Sequence, residues 1–255
     1  MLIAQLTDTH ITVPENGNGD CYVKLEALRK CVSAINKLNT APDVVIHTGD
    51  LVHNGSDEEY RLTKLIMDEL RAPYLITPGN RDSVTALIRN FTLHSYQNAD
   101  TAFLQYATSV LDYRLIASDT STENNNLGFL DFQRLAHLDN LLNEKPERST
   151  VIFMHHPPIN LSNSEPLKHE YESYGMIRNF SEIIDRHPQV VAILCGHIHR
   201  SLTGWINATP LVVMPPLSKS LNRDPASYSS TPNIAFYLHT ISTKASVDTE
   251  VITVN

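Results

Sequence analysis

Residues 42–50 have the sequence Pro-Asp-Val-Val-Ile-His-Thr-Gly-Asp, an apolar, β-branched run that ends abruptly at a glycine and a carboxylate. Such a run predicts a buried strand, and Gly49 lets the chain turn tightly so that Asp50 projects from the strand's carboxyl end. Open α/β sheets bind their ligands at this edge. A glycine-aspartate pair after a strand is also typical of an ordinary turn, so the meaning of Asp50 depends on the other strand ends.

Segments typical of strands and helices alternate on both sides of this run. Apolar residues at three- and four-residue spacing predict a helix from Leu25 to Leu38, and Ser56 with Glu59 has the form of a capping box that opens the next helix. Further helices are predicted after Asp131 and near Phe180 to Arg186. Strands are predicted at Leu2–Thr7, Val44–Thr48, Tyr74–Thr77, Tyr113–Ala117, Val151–Met154 and Val190–Leu194. This alternation indicates βαβ units and an at least partly parallel sheet.

The last part of the chain has a different pattern. From Trp205 onward there are short strand-like runs at Leu211–Met214, Ile234–Leu238 and Val251–Val254, without helical periodicity. These runs predict a second sheet packed on the first. Residues 91–111 are less regular, and they are expected to form a small cap or insertion within a single domain that spans residues 1–255.

Composition and charge narrow the class of protein. Hydrophobic residues make up 42% of the chain and charged residues 19%, an ordinary globular balance. The net charge of -8 argues against a general nucleic-acid or anionic-membrane binder, because such proteins usually present a net basic face. Cys21, Cys31 and Cys195 have no metal-finger spacing, and from the sequence we expect neither a signal peptide nor a membrane-spanning run. We therefore expect a cytoplasmic protein in a reducing compartment; homo-oligomerisation is left open.

Polar residues follow five of the predicted strands. They are Asp8 with His10, Asp50, Asn80, His155, and His197 with His199. Each has an ordinary alternative, since Asp8 and His10 separately are typical loop residues and His155-His156 before Pro157 is typical of a turn. Parallel strands, however, would bring these oxygen and imidazole donors to one edge, where they suit divalent manganese, iron, cobalt or zinc. Seven donors exceed the needs of one tetrahedral ion, so we predict two ions that share the carboxylate of Asp50.

The same residues resemble the ordered motifs of a known family. Asp8-Thr9-His10, Gly49-Asp50, Gly79-Asn80-Arg81-Asp82, Met154-His155-His156-Pro157-Pro158 and Gly196-His197-Ile198-His199 are similar to the five motifs of the calcineurin-like metallophosphoesterases. The similarity runs from Leu2 to about His199 and is most marked with the bacterial class III cyclic nucleotide phosphodiesterases and their glycerophosphodiesterase relatives. It implies a four-layer αββα fold in which helices flank two mixed sheets, with the metal site at strand carboxyl ends.

The resemblance also implies roles for individual residues. One ion is expected to be held by Asp8, His10 and His199, the other by Asn80, His155 and His197, with Asp50 as the bridge. His156 is not expected to bind an ion directly; it is predicted to orient a ligand or to contact substrate. The expected reaction is hydrolysis of a small phosphodiester by a metal-activated bridging hydroxide, with 3′,5′-cyclic nucleotides such as cAMP as the first guess. Glycerophosphodiesters and nucleotide pyrophosphates of the UDP-diacylglucosamine type remain alternatives, as does a metal-binding scaffold without catalysis.

Arg81 departs from the usual family pattern, in which a histidine follows the asparagine. An arginine stays charged near neutral pH, so it cannot act as a general acid, but its planar fork suits phosphate oxygens. We predict that Arg81 binds substrate together with Asn80 and His156, and that Asp82 positions Asn80 or Arg81. Substrate choice is expected to depend on the loops at Val13–Asp20, His53-Asn54, Phe91–Tyr106 and Leu161–Gly175.

Overall fold

The computed structural model describes residues 1–13, 20–91, 93, 102–122, 125–159, 170–217, 234–243 and 245–254. Its elements are β1 (Leu2–Leu6), α1 (Asp20–Ile35), β2 (Val44–His47), α2 (Asp57–Met67), β3 (Tyr74–Ile76), α3 (Val84–Phe91), β4 (Tyr106–Val110), β5 (Tyr113–Ser118), α4 (Phe132–Asn143), β6 (Thr150–Met154), α5 (Tyr174–Arg186), β7 (Val190–Cys195), β8 (Leu202–Ile206), β9 (Thr209–Val213), β10 (Ile234–Ser242) and β11 (Ser246–Val254). The predicted alternation of strands and helices is present up to β7, except that β4 directly precedes β5.

The strands form two mixed sheets. The first has the order β11-β10-β1-β2-β3 and the second the order β4-β5-β6-β7-β9-β8. β1 pairs in parallel with β2 and antiparallel with β10, where Gln5 is opposite Ile46 on one side and Tyr237 on the other. In the second sheet β5, β6, β7 and β9 run parallel to one another. Parallel neighbours bring the carboxyl ends of their strands to one edge, which is what the predicted site requires.

The side chains of the second sheet alternate between two cores. In β6, Val151 and Phe153 pack into the larger core with the first sheet, whereas Ile152 and Met154 pack against the helices on the other face. Helix α1 contacts β10 and β11 of the first sheet, and α4 contacts β5 of the second. Because strand side chains point to opposite faces in turn, this buried-on-both-faces pattern defines four layers. The predicted fold, two mixed sheets flanked by helices, is confirmed.

The capping box predicted before the second helix is present. The hydroxyl of Ser56 accepts a hydrogen bond from the backbone N–H of Glu59 at 3.3 Å, and the Glu59 carboxylate accepts one from the backbone N–H of Ser56 at 3.2 Å. These reciprocal bonds satisfy two N–H groups that the first turn of a helix leaves without partners. The sequence therefore locates the start of α2 to the residue.

The prediction for the end of the chain is wrong in its topology. The late strands do not form the second sheet alone: β8 and β9 complete it beside β7, whereas β10 and β11 extend the first sheet beside β1. In the predicted cap, Phe91 ends α3 and Tyr106–Val110 is the edge strand β4, while residues 92 and 94–101 lie outside the described residues. Within the described part of the chain, no helix is both long and apolar enough to cross a membrane.

Candidate metal centre

The seven predicted donors converge where the carboxyl ends of the two sheets meet. Asp8 and His10 follow β1, Asp50 follows β2 and Asn80 follows β3, all in the first sheet. From the second sheet, His155 follows β6, and His197 and His199 follow β7. Six of the seven side chains are buried, and Asn80 is partly exposed. The two sheets thus contribute opposite sides of one site.

The backbone is constrained at these positions. Asp8, His10, Asp50, His197 and His199 all have positive φ, between 44° and 72°. Such left-handed backbone is uncommon for residues other than glycine and costs on the order of 1 kcal/mol or more at each position. Nearby, a Cβ on Gly196 would lie 2.1 Å from Thr7 Oγ1, so only glycine allows this approach of the two sheets. Strain gathered at one place is typical of functional sites.

Two groups of donors lie side by side around Asp50. The aspartate cluster consists of Asp8, His10 and His199: His199 Nε2 lies 3.2 Å from Asp8 Oδ1 and 3.1 Å from His10 Nε2. The other oxygen of Asp8 accepts hydrogen bonds from the Thr7 hydroxyl and the His197 backbone N–H. Asp50 Oδ2 lies 3.5 Å from His10 Nε2 and so faces this cluster.

The asparagine cluster consists of Asn80, His155 and His197. Asn80 Oδ1 lies 3.1 Å from both His155 Nε2 and His197 Nδ1, and these two nitrogens are 3.2 Å apart. Asp50 Oδ1 lies 3.5 Å from His155 Nε2, so the two oxygens of one carboxylate face the two clusters. This is the arrangement expected of a carboxylate placed between two ions.

The donor atoms fit cations better than they fit one another. His155 Nδ1 lies 2.7 Å from the Thr48 carbonyl oxygen, to which it must donate, so the neutral ring has its lone pair on Nε2. That lone pair points at the oxygens of Asn80 and Asp50, which also bring lone pairs. Asp8 Oδ1 is buried and makes no hydrogen bond of good geometry among the described residues. Converging lone pairs are unfavourable alone and are satisfied by a metal ion.

Burial and charge shift the pKa values of these groups. Burial lowers the pKa of His10 to about 3 and also lowers the pKa values of His155 and His197, which keeps the imidazoles neutral, as metal binding requires. Burial and the charge of Asp8 raise the pKa of Asp50 to about 7. Although burial opposes the ionisation of Asp8, the neighbouring imidazoles, His199 foremost, hold its pKa well below the usual range.

Asp82 supports the turn that carries Asn80 and Arg81. Its carboxylate accepts hydrogen bonds from the backbone N–H groups of Gly79 and Leu51 and from the Tyr60 hydroxyl, at 2.9 to 3.2 Å. The backbone N–H of Arg81 donates to Asp50 Oδ1 at 2.8 Å, while its side chain is exposed. Asp82 is therefore engaged with the turn, and the guanidinium of Arg81 is not paired with it.

His156 lies beneath the site. Its ring is 4.2 Å from that of His197, close enough for His155, His156 and His197 to surround one ion. Both of its nitrogens are engaged, however, because Nε2 donates to the Asn126 carbonyl at 3.3 Å and Nδ1 accepts from the Thr120 hydroxyl at 2.8 Å. His156 is fully buried. Its contacts are with Thr120 and Asn126, and its role in orienting a ligand or contacting substrate stays a prediction.

A polar cavity of about 530 Å³ opens beside the asparagine cluster. Its lining includes Asn80 and Arg81 with the predicted specificity residues His53 and Asn54. It also includes Asn125 and Asn126, which are not among the site residues predicted from the sequence. Asn126 Oδ1 accepts a hydrogen bond from Asn80 Nδ2 at 3.1 Å. Most of Val13–Asp20 and Leu161–Gly175, the other predicted specificity loops, lies outside the described residues, at 14–19 and 161–169.

Comparisons with known proteins identify the family to which the chain belongs. The chain belongs to the calcineurin-like phosphoesterase family, whose family model matches residues 1–201. It is 33% identical over 209 residues to a probable glycerophosphodiester phosphodiesterase GpdQ of Arcobacter nitrofigilis, covering 80% of this chain and 74% of that protein. It is 26% identical over 215 residues to the 3′,5′-cyclic adenosine monophosphate phosphodiesterase CpdA of Escherichia coli, covering 84% of this chain and 74% of that protein.

A solved structure shares the fold. The dimetal phosphatase from Danio rerio superposes with a TM-score of 0.67 at 15% identity, covering 100% of this chain and 99% of that one. Together with the family match, this similarity confirms the predicted resemblance and fold. The predicted class of enzyme, a metal-dependent phosphodiester hydrolase, is confirmed by the family and by the phosphodiesterases among the relatives. The clusters of His and Asp side chains are the groups that would hold the divalent metal.

Proposed function

We propose that this enzyme hydrolyses small phosphodiesters with two divalent ions, one in each donor cluster and both in contact with Asp50. The observation that carries the proposal is the position of the Asp50 carboxylate, whose oxygens lie 3.5 Å from His10 Nε2 on one side and 3.5 Å from His155 Nε2 on the other. Manganese, iron, cobalt and zinc all suit such mixed nitrogen and oxygen donors. Elemental analysis of the purified protein identifies the ions.

When bound, divalent ions at such a site lower the pKa of a coordinated water and neutralise charge on the phosphoryl oxygens. The residues of the chain hold and orient the reactants. Arg81 lines the cavity beside Asn80, and a guanidinium can bind two phosphate oxygens at once. Asp82 keeps this turn in place through its bonds to Gly79 and Leu51. Since Arg81 cannot release its proton near neutral pH, it stabilises charge rather than transferring a proton.

Two substrate classes follow from the relatives, glycerophosphodiesters and 3′,5′-cyclic nucleotides. The cavity is lined by asparagine, serine, threonine, arginine, histidine, aspartate and glycine, and none of its described lining residues is Phe, Tyr or Trp. Tyr171, whose ring packs beside that of His156, is buried and therefore not available to stack on a base, and its hydroxyl donates to the His156 carbonyl. A polar wall suits a hydroxylated alcohol such as glycerol, so this observation favours glycerophosphodiesters over the cyclic nucleotides expected first.

The test is turnover by metal-reconstituted protein. Chelator-treated enzyme is reloaded with Mn²⁺, Zn²⁺, Co²⁺ or Fe²⁺ and assayed with bis(p-nitrophenyl) phosphate, then with glycerophosphodiesters, cyclic nucleotides and nucleotide-sugar pyrophosphates. We expect metal-dependent hydrolysis, fastest with a glycerophosphodiester. Protein that binds two ions but hydrolyses none of these esters would instead be the metal-binding scaffold, and it would refute the proposal.

The cellular setting is proposed on separate grounds. The three cysteines, Cys21, Cys31 and Cys195, are buried and free, which supports the predicted reducing, cytoplasmic compartment. The net charge of -8 supports a small substrate rather than stable binding of nucleic acid or an anionic membrane. Two divalent ions would outweigh the charges of Asp8 and Asp50, so the loaded site attracts a phosphodiester even though the chain as a whole is acidic.

A further inference from the structure

Glu170 contacts the asparagine cluster from outside the predicted site. Its Oε2 lies 3.1 Å from His197 Nε2. A carboxylate oxygen accepts hydrogen bonds, so His197 donates through Nε2, and the neutral ring then has its lone pair on Nδ1. Nδ1 is the atom that faces Asn80 Oδ1 and His155 Nε2, at 3.1 and 3.2 Å. The contact with Glu170 thus selects the form of His197 in which the inward nitrogen can bind a cation.

The backbone around Glu170 is fixed by a pairing of two loops. The Gly128 N–H donates to the Glu170 carbonyl at 2.6 Å, and the Glu172 N–H donates to the Gly128 carbonyl at 3.1 Å. Between them, the buried Tyr171 donates its hydroxyl to the His156 carbonyl at 2.8 Å. A side chain at residue 128 would lie 2.9 Å from His156, so glycine is required for this close pairing. The loops therefore hold Glu170 in a defined place.

We propose that Glu170 is a positioning residue for His197, and that it thereby strengthens the binding of the ion in the asparagine cluster. The proposal rests on the function proposed above, in which His197 binds that ion. Glu170 is not itself a ligand in this geometry, because it contacts the ring nitrogen that points away from the donors. A carboxylate in this position fixes the tautomer and the ring orientation and makes the imidazole a stronger donor.

The alternative is an ordinary ion pair that contributes only to stability. The His197 side chain is 6% exposed and that of Glu170 is 31% exposed, so the contact is partly shielded from water. An ion pair without a role in positioning would change the melting temperature but would leave the affinity for metal unchanged. Affinity for the two ions, measured separately, therefore distinguishes the two explanations.

The experiment compares Glu170→Ala and Glu170→Gln with Glu172→Gln. Glu172 is a matched control, because it lies on the same segment and accepts a hydrogen bond from Asn125 rather than from a histidine of the site. Chelator-treated proteins are titrated with Mn²⁺ by calorimetry, and the ion of the asparagine cluster is identified as the one lost in Asn80→Ala. We expect Glu170→Ala to lower the affinity for this ion by about 10- to 100-fold and to leave the affinity for the other ion unchanged. Glu170→Gln should lose less of this affinity, because glutamine keeps an acceptor oxygen. Glu172→Gln should bind both ions as tightly as the wild type does.

Three results would overturn the inference: unchanged affinity in Glu170→Ala, equal weakening of both ions, or the same loss in Glu172→Gln. If the alanine variant fails to fold, ¹⁵N NMR of the metal-free wild type decides, since a His197 ring protonated on Nδ1 refutes the proposal and one protonated on Nε2 supports it. Failure of the proposed function has a different signature, namely wild-type protein that does not bind two ions or does not hydrolyse phosphodiesters.

Discussion

The aspartate and asparagine clusters share Asp50 but are built differently. The aspartate cluster has a carboxylate of its own, and Asp8, His10 and His199 all adopt left-handed backbone. The asparagine cluster has neutral donors apart from Asp50, and its side chains are held by groups outside it: Thr48, Asn126 and Glu170. The clusters therefore differ mainly in charge, since outside groups also hold Asp8, whose carboxylate accepts hydrogen bonds from Thr7 and the His197 backbone. We expect the aspartate cluster to bind its ion more tightly, because a carboxylate attracts a divalent ion more strongly than an amide does.

The largest effect should follow loss of the group that the two clusters share. Asp50→Ala removes one oxygen from each cluster, so we expect one of the two ions to be lost. Turnover should fall by more than about 100-fold, a larger loss than is usual for a residue that only hydrogen-bonds to a metal ligand. The fold should be retained, since Asp50 is a buried carboxyl whose ionisation burial disfavours. Metal analysis, steady-state kinetics and circular dichroism check these points. A variant with two ions and a normal rate would show that Asp50 is not the bridge.

Exchanging charge between the clusters tests their difference directly. Asn80→Asp gives the asparagine cluster its own carboxylate and should raise affinity for the second ion by about tenfold or more, whereas Asp8→Asn should bring the two affinities together by weakening the first. Calorimetric titration of chelator-treated protein measures both constants. Asp57→Asn is a suitable control, because Asp57 pairs with Arg89 at the exposed start of α2. If Asp8→Asn bound both ions as the wild type does, charge would not be what distinguishes the clusters.

Replacing Arg81 should change turnover of the substrate without changing the binding of either ion. Removing its guanidinium in Arg81→Ala should lower kcat/KM for a phosphodiester by about 10- to 100-fold, because a charge-stabilising donor is lost. Arg81→Lys should retain only part of the wild-type kcat/KM, since an ammonium cannot bind two oxygens in one plane. Kinetics at saturating Mn²⁺, with metal content measured in parallel, provides the check. Loss of an ion in Arg81→Ala would show instead that the residue supports the turn.

The smallest effect is expected at Asn126, which hydrogen-bonds to the asparagine cluster from outside it. Asn126→Ala removes the acceptor for Asn80 Nδ2 but leaves the Asn126 carbonyl that His156 contacts. We expect a loss of about tenfold, the lower end for such residues, confined to the ion of the asparagine cluster. Asn125→Ala on the same loop serves as the control in calorimetric titrations. Equal effects of the two substitutions would mean that the loop, and not this hydrogen bond, is responsible.

The sequence predicted which side chains converge, because each follows a strand whose apolar run is visible locally. Val44–Ile46 before Asp50 and Val190–Leu194 before His197 mark both the strands and where they end. It missed Glu170 and Asn126 because their partners lie 27 and 46 residues away in the chain, and a loop carboxylate or amide has no periodicity. It misplaced β10 for the same reason, since the pairing with β1 spans more than 230 residues and leaves no local pattern.

The position of β1 between β2 and β10 has a consequence for biosynthesis. As the protein emerges from the ribosome, β1 can pair early with β2, but its other side stays an open edge until Ile234–Ser242 has been made. The histidines after β6 and β7 also emerge long after Asp8 and His10. Neither donor cluster can therefore be complete in a nascent chain until His197 and His199 have been made.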